Sequence, residues 1–461
     1  MCVWVKMSNF ASVFSNEGHA VEIAFRQEYE PSSITNEVMK RIVLFLIGLS
    51  ACVCVTAAEA SKKDKASQPT PLKTLLRDAH SAIKNNRDQA KHINTLQEAL
   101  KREGLTSADS AEILFTQSEL SVSLNDAENM KAYLRQKYDT AAYFNTLLSA
   151  SEYALRCDSA DIRPNAKGKV KASYRSKNRD LLLRHRPNIY AGGRFYLRKN
   201  DYAKSVPFFR TYIDMVEAPL LQGEKKLEND TLLARSCFYL ALAAYNNKQS
   251  DVVLQYIDRA MEGVGDSLKP DLHEYKVRCR LAVGDTAQWL QDLREGCTRF
   301  PRHDYFFTQI MEYVDETGKY EMGLGIADSM LARVQDIPLY WYAKSVMYLR
   351  MGRYAECVEM SDSVISRDAK HLEALRNKGV CLLNLAMEYE EIVTEEQDNK
   401  KREEDKKQLH QYYVQARTPF ERLRELQPDR KDIWATPLYR IYLNLNMGKE
   451  FDEMEKVLKG Q

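Results

Sequence analysis

Reactive side chains at the spacings a reaction would need are scarce in this sequence. The eight histidines are scattered, and none stands at metal-ligand spacing from another His or from Cys. His273 and His303 fall near helix starts, where surface or capping roles account for them. No Walker A loop, GxSxG or HExxH occurs. Gly323-Leu324-Gly325 is a lone GxG inside a helical pattern and reads as close helix packing, not as a phosphate loop. Of nine cysteines, Cys157, Cys237, Cys279, Cys297, Cys357 and Cys381 lie beyond residue 60. None forms CxxC. They read as free, buried, small apolar residues, although an oxidising compartment would permit pairing. The expectation is no catalytic constellation, no metal and no cofactor, hence not an enzyme.

Two other features exceed background. Arg163–Arg186 carries Lys or Arg at 163, 167, 169, 171, 175, 177, 179, 184 and 186 against Asp180 alone. Such a block could grip an anionic partner such as a lipid head group, a glycan or an acidic protein. Its plain reading is a solvated linker. The second feature is an Asp-Ser/Thr-apolar triplet, with the hydroxyl at Ser110, Thr140, Ser159, Thr231, Ser267, Thr286, Ser329 and Ser363. Asp and Ser/Thr also cluster at helix starts as caps.

The elements that must carry these residues are helices. The chain has 461 residues, 44% hydrophobic and 29% charged, with only 18 Gly and 13 Pro. That composition excludes collagen-like, low-complexity and wholly disordered chains and favours helix over strand. A formal charge of +2 gives no reason to expect nucleic acid. Gly284, Gly318 and Gly352 recur every 34 residues, and their surroundings keep phase. Trp341, Ser345, Tyr348, Gly352, Tyr354 and Cys357 occupy repeat positions 4, 8, 11, 15, 17 and 20. Phe307, Val314, Gly318, Tyr320, Gly323 and Ala327 occupy 4, 11, 15, 17, 20 and 24, and Pro301 falls at 32 of the unit before. This period and large/small pattern resemble the tetratricopeptide repeat. The resemblance implies antiparallel helix pairs, with Gly at 15 ending the first helix and Pro near 32 stopping the second. The fold class expected is an all-α helical solenoid.

Further units follow from that register. Ile189, Gly193, Tyr196, Tyr202, Ser205 and Phe209 fit positions 4, 8, 11, 17, 20 and 24. Leu375, Gly379 and Leu382 open another unit, whose second helix resumes 25 residues late with Ala416, Phe420, Leu423 and Pro428. The charged insertion between them, 393–407, is expected to extend both helices as a projecting hairpin. Residues 236–262 form a unit of unassigned register, and Trp434 to Leu458 reads as a terminal helix pair. The solenoid is therefore placed at 187–461. Before it, 72–186 reads as an N-terminal region with helical patterns at 72–102, 108–124, 127–137 and 142–156, closed by the basic linker. The stretches around 138–158 and 186–209, and Pro419 to Leu458, resemble a group of exported repeat proteins of Bacteroidetes. That group implies a fold and a compartment but no activity. In the same setting the triplets resemble an O-glycosylation sequon, with Ser329 and Ser363, inside second helices, the least suited.

In the tetratricopeptide repeat, positions 2, 5, 9, 12 and 13 of each first helix line a concave groove. Here these include Tyr190, Arg194 and Arg198, then Glu274 and Arg278, then Glu312, Asp315 and Glu316. Tyr342, Arg350 and Arg376 follow. Aromatic rings with mixed charge suit a polypeptide partner, with Tyr and Arg as anchors. The carboxylate clamp of chaperone-binding repeats is not reproduced, because position 9 is Arg194, Arg278, Glu312, Val346 or Val380. The function expected is an exported scaffold that binds a protein or extended peptide. The alternative is an envelope component that binds glycan or lipid through 163–186.

Export rests on the N-terminus. Met39-Lys40-Arg41, an apolar run from Ile42 to Val55, and Thr56 to Ala60 follow the order of a signal peptide, 39–60. On that reading 1–38 is a mis-assigned extension and 61–71 a flexible tether, with the mature protein in the periplasm or cell envelope. Two other readings stand beside it: a membrane anchor over 42–58, and lipidation at Cys52 in Leu49-Ser50-Ala51-Cys52.

Overall fold

The computed structural model describes residues 70–165, 167–228 and 230–460. The readings for 1–38, the signal peptide, Cys52 and 61–69 lie outside the described residues. Contacts divide the described residues into two compact units, one up to Arg102 and one from Glu103 onward. This boundary falls inside the region that sequence treats as one, 72–186. In the first unit, α1 (Leu72–Asn85) and α2 (Gln89–Ala99) form a pair with Leu76, Ala79, Leu96 and Ala99 buried.

The second unit is helical throughout its described length. It begins with a long hairpin, α3 (Ser107–Tyr133) and α4 (Thr140–Asp161). The patterns at 108–124 and 127–137 are thus one helix and not two. The reason is Asn125, whose side chain donates to the Tyr143 carbonyl of α4 at 2.8 Å and so does not cap a new helix. Thr106 and Asp109 close a capping box at the start of α3, and Asp139 accepts two backbone N–H groups at the start of α4.

Successive helix pairs follow. They are α5 (Arg175–Arg198) with α6 (Tyr202–Glu217), α7 (Leu233–Asn246) with α8 (Ser250–Glu262), and α9 (Lys269–Ala282) with α10 (Thr286–Arg299). Then come α11 (Asp304–Thr317) with α12 (Tyr320–Leu331), and α13 (Pro338–Arg350) with α14 (Tyr354–Ile365). The stack ends with α15 (Leu372–Glu395) on α16 (Asn399–Leu426), and α17 (Lys431–Asn444) on α18 (Gly448–Lys459).

One backbone device ends most of the first helices. Residues Asn200, Lys248, Gly284, Gly318, Gly352 and Asn446 are all left-handed, with φ between 54° and 78°. The next residue in each case donates its N–H to a carbonyl five residues back: Tyr196, Ala244, Arg280, Val314, Tyr348 and Tyr442. This is the Schellman closure, and glycine or asparagine adopts it at least cost. It confirms position 15 and assigns the unit that sequence left open, with Lys248 at 15. Asp201 and Asp285, one residue further on, cap the second helices.

Packing within the pairs follows size complementarity. A Cβ placed on Gly193 would lie 2.8 Å from the Phe209 ring, and one on Gly379 would lie 2.6 Å from the Phe420 ring. Position 8 therefore packs against position 24, even where 25 residues intervene. In the unit starting at Asp304 the small residue moves: Met311 fills position 8, and Gly323 at 20 makes room for Met347 and Val314. Gly325 faces open space, so only the first glycine of that GxG serves packing. Trp341 departs from the expected role at position 4: it is only half-buried, its indole N–H donating to the Gln335 carbonyl. Pro301 and Pro428 follow the ends of α10 and α16 as expected, and Tyr340 donates its hydroxyl to the Pro301 carbonyl. The insertion 393–407 does extend both helices, with Asp398 capping α16 at the tip.

Candidate functional site

First helices present one side to the next first helix, and mixed aromatic and charged residues collect there. Tyr245 of α7 stacks on Tyr275 of α9, with ring centroids 4.1 Å apart and planes 12° from parallel. Arg278, one turn along α9, pairs with Glu274 at 2.6 Å. Its guanidinium sits 4.8 Å from the ring centre of Tyr305 on α11. Further along α11, Glu312 accepts from Gln309 at 2.6 Å, and Asp315 pairs with Arg350 of α13 at 3.2 Å. Burial pushes the Tyr275 phenol up to about 12 and the Tyr305 phenol higher, so both stay protonated donors. Burial also raises the Glu312 carboxyl.

Among the expected groove residues the structure separates packing from surface. Tyr190 and Tyr342 are packing residues, a correction to their reading as anchors. Tyr190 is 8% exposed among Phe209, Tyr212 and Tyr239, and Tyr342 is 9% exposed against His371. Position 5 faces the neighbouring helices closely enough that a large ring there is enclosed. Arg194 is half-buried with its guanidinium 5.9 Å from the Tyr190 ring, and Arg376 is half-buried on α15. Arg198, Glu316 and Arg350 are exposed. The structure thus pairs Glu274 with Arg278 and Asp315 with Arg350, and it leaves Arg198 exposed at the end of α5. Tyr245, Tyr275 and Tyr305 were missed. Tyr305 stands at position 2, so the register itself pointed to it; Tyr245 stands at position 12 of the unit whose register was unassigned.

The basic segment is not a single linker. Its second half forms the first turns of α5, where Arg175 pairs with Asp158 at 3.3 Å and Arg179 with Glu224 at 3.7 Å. Arg186 is buried: it donates to the Tyr212 hydroxyl at 2.9 Å and to Asp230, itself in the connection between α6 and α7. Asp161 accepts the backbone N–H groups of Ser173 and Tyr174, which fixes the turn into α5. Arg163, Lys167, Lys169 and Lys171 remain exposed before that turn.

The triplets divide as well. Asp109, Asp139 and Asp285 act at helix starts, the capping role. Thr231, Ser267, Thr286 and Ser329 are exposed, whereas Ser363 is half-buried. Among the described residues, no group of three or more His, Cys, Asp or Glu side chains could hold a metal ion. No described helix is long and apolar enough to cross a membrane.

No family model matches the sequence, and no curated protein matches it either. Among solved structures, it is similar to the C-terminal part of a TPR repeat-containing protein from Cytophaga hutchinsonii. That match has 15% identity over 58% of this chain and 93% of that one, with a TM-score of 0.36. The yeast Tom70 structure matches at 11% identity over 84% of this chain and 91% of that one, with a TM-score of 0.30. The P58(IPK) TPR domain matches at 10% identity over 84% and 98%, with a TM-score of 0.24. The fold itself is carried by the chain's own helices. Antiparallel pairs, most of their first helices closed at position 15 and three of those closures, Gly284, Gly318 and Gly352, spaced 34 residues apart, make it an all-α solenoid of the tetratricopeptide-repeat type.

Proposed function

We propose that the chain is an exported, non-enzymatic scaffold that binds another protein, or an extended peptide, across successive first helices. The observation that carries this reading is the row Tyr245–Tyr275, Glu274–Arg278–Tyr305 and Asp315–Arg350, which crosses four consecutive first helices. Half-buried tyrosines offer contact area at small entropic cost. The ion pairs beside them are partly exposed, and such pairs contribute little to stability. A partner's charges can therefore replace them without unfolding the stack. Support for export is the Met39–Ala60 pattern of the sequence, and an exported chain would meet its partner in the periplasm or cell envelope.

A second reading takes Arg163, Lys167, Lys169 and Lys171 as a contact for an anionic glycan or lipid, since all four are exposed. Salt separates the two. In affinity purification from the native envelope, the scaffold reading expects a protein that stays bound through high-salt washes. Binding that disappears with salt, together with retention on anionic vesicles, would favour the basic loop. O-glycans at exposed triplets such as Thr231 and Thr286 would add mass to the native protein; an intact mass equal to that of the processed polypeptide would remove that part.

A further inference from the structure

We propose that Cys357 and Cys381 form a disulfide that staples two successive helix pairs. Cys357 lies at position 20 of the unit starting at Pro338, on its second helix, and Cys381 lies on the first helix of the next unit. Their sulfurs are 2.6 Å apart and both residues are 0% exposed. Non-bonded carbon atoms settle at about 3.5–4.0 Å, so these sulfurs stand closer than an ordinary packing contact. Cys157, by contrast, donates its thiol to the Ala111 carbonyl. The link would join α14 to α15 across a unit boundary. It would hold the stack beside the one unit that carries the long charged insertion.

The chemistry is a two-electron oxidation by a small-molecule disulfide. One cysteine thiolate attacks a sulfur of the oxidant, forming a mixed disulfide and releasing one thiolate. The second cysteine loses its proton and attacks the first cysteine's sulfur, and the other half of the oxidant leaves as thiolate. The oxidant's S–S bond is thereby reduced to two thiols, and the two protein thiols lose two protons and two electrons. The adjacent Cys357 sulfur and burial push the Cys381 thiol up, and the enclosure of both sulfurs keeps a small-molecule oxidant from them in the folded state. The bond therefore forms during folding or through local opening, and once formed it is shielded from reductant.

The test uses the full chain, treated with oxidised glutathione both in the native state and during refolding from denaturant. Remaining thiols are then alkylated and the protein is digested without reduction for mass spectrometry. The expected product is one linked peptide carrying Cys357 and Cys381, lighter by two hydrogen atoms than its two parts. The oxidised protein should melt several degrees above the reduced one, because the link restricts the unfolded chain. That difference should vanish in Cys357→Ala and Cys381→Ser and persist in Cys237→Ala. Both cysteines alkylated after both treatments, linkage to other partners, or a link with no rise in melting temperature would each overturn the proposal.

Discussion

The hairpin α3–α4 and the helix pairs that follow it are held by different physics. In the pairs, glycine at position 8 admits a phenylalanine at 24, as with Gly193 and Phe209 or Gly379 and Phe420. Contact there is apolar and fixed by size. The hairpin instead buries polar side chains. Ser118 donates to the Ala150 carbonyl at 2.9 Å, and Asn125 reaches Tyr143 and Thr146. Ser121, Ser151 and Thr116 are also buried, each bonded to a carbonyl of its own helix. Repeating units can reuse one size rule, whereas a hydrogen-bonded seam is particular to its own pair of helices. The difference predicts distinct responses to substitution.

The largest effect is expected in the size-packed pairs. Gly379→Leu forces a side chain into the Phe420 ring and should cost about 1–3 kcal/mol, with Gly379→Ala showing part of it. A thermal melt that stays unchanged for Gly379→Leu and Gly193→Leu would refute the register. In the hairpin, Asn125→Ala leaves the Tyr143 carbonyl without its donor and should cost about 1 kcal/mol. A near-zero result for that variant in denaturant unfolding would remove the distinction between the two regions.

A smaller, pH-dependent effect comes from His273 on α9. It is wholly buried, and burial lowers its affinity for a proton below the ordinary value near 6.5. Its Nε2–H donates to the Asp292 carbonyl at 2.7 Å, which offsets part of that effect, but burial outweighs it and favours the neutral ring. The unfolded chain takes up a proton as pH falls through about 6.5, while the folded chain does not until lower pH. The stability present above that pH is therefore lost on acidification. His273→Gln should flatten the decline in melting temperature between about pH 7 and about pH 5.5; an unchanged slope would show that other groups govern it.

The smallest effect belongs to the charged tip. Deleting Thr394–Lys407 removes local pairs such as Lys406–Glu403 but leaves Gly379 against Phe420. The melting temperature should stay nearly constant, because the deleted stretch buries little apolar surface. A large fall would mean that the tip supports the solenoid.

What the sequence revealed follows the same division. Gly284, Gly318 and Gly352 were legible because a left-handed helix end favours glycine, and Gly193 and Gly379 because a ring occupies the space beside them. Lys248 holds the same backbone conformation without advertising it, so its unit could not be placed. The patterns at 108–124 and 127–137 read as separate because polar residues lie between them; the bond of Asn125 to the next helix is a tertiary fact. Arg186 read as one more surface cation, and its burial depends on Asp230, 44 residues away. In the candidate site the charged residues were found by position, but the enclosure of Tyr190 and Tyr342 depends on how neighbouring helices close over position 5.

The central claim is recognition of polypeptide by the first-helix face, and peptide selection tests it most directly. A random peptide library displayed on phage is selected against the folded chain, and the dissociation constants of selected peptides are measured for three forms. These are the unaltered chain, Tyr305→Ala, and a variant with Arg163, Lys167, Lys169 and Lys171 changed to Glu. The expected result is a loss of about tenfold or more for Tyr305→Ala, equivalent to about 1.4 kcal/mol or more, and little change for the charge-reversed loop. Selected peptides that bind equally well to Tyr305→Ala but fail on the charge-reversed loop would contradict it.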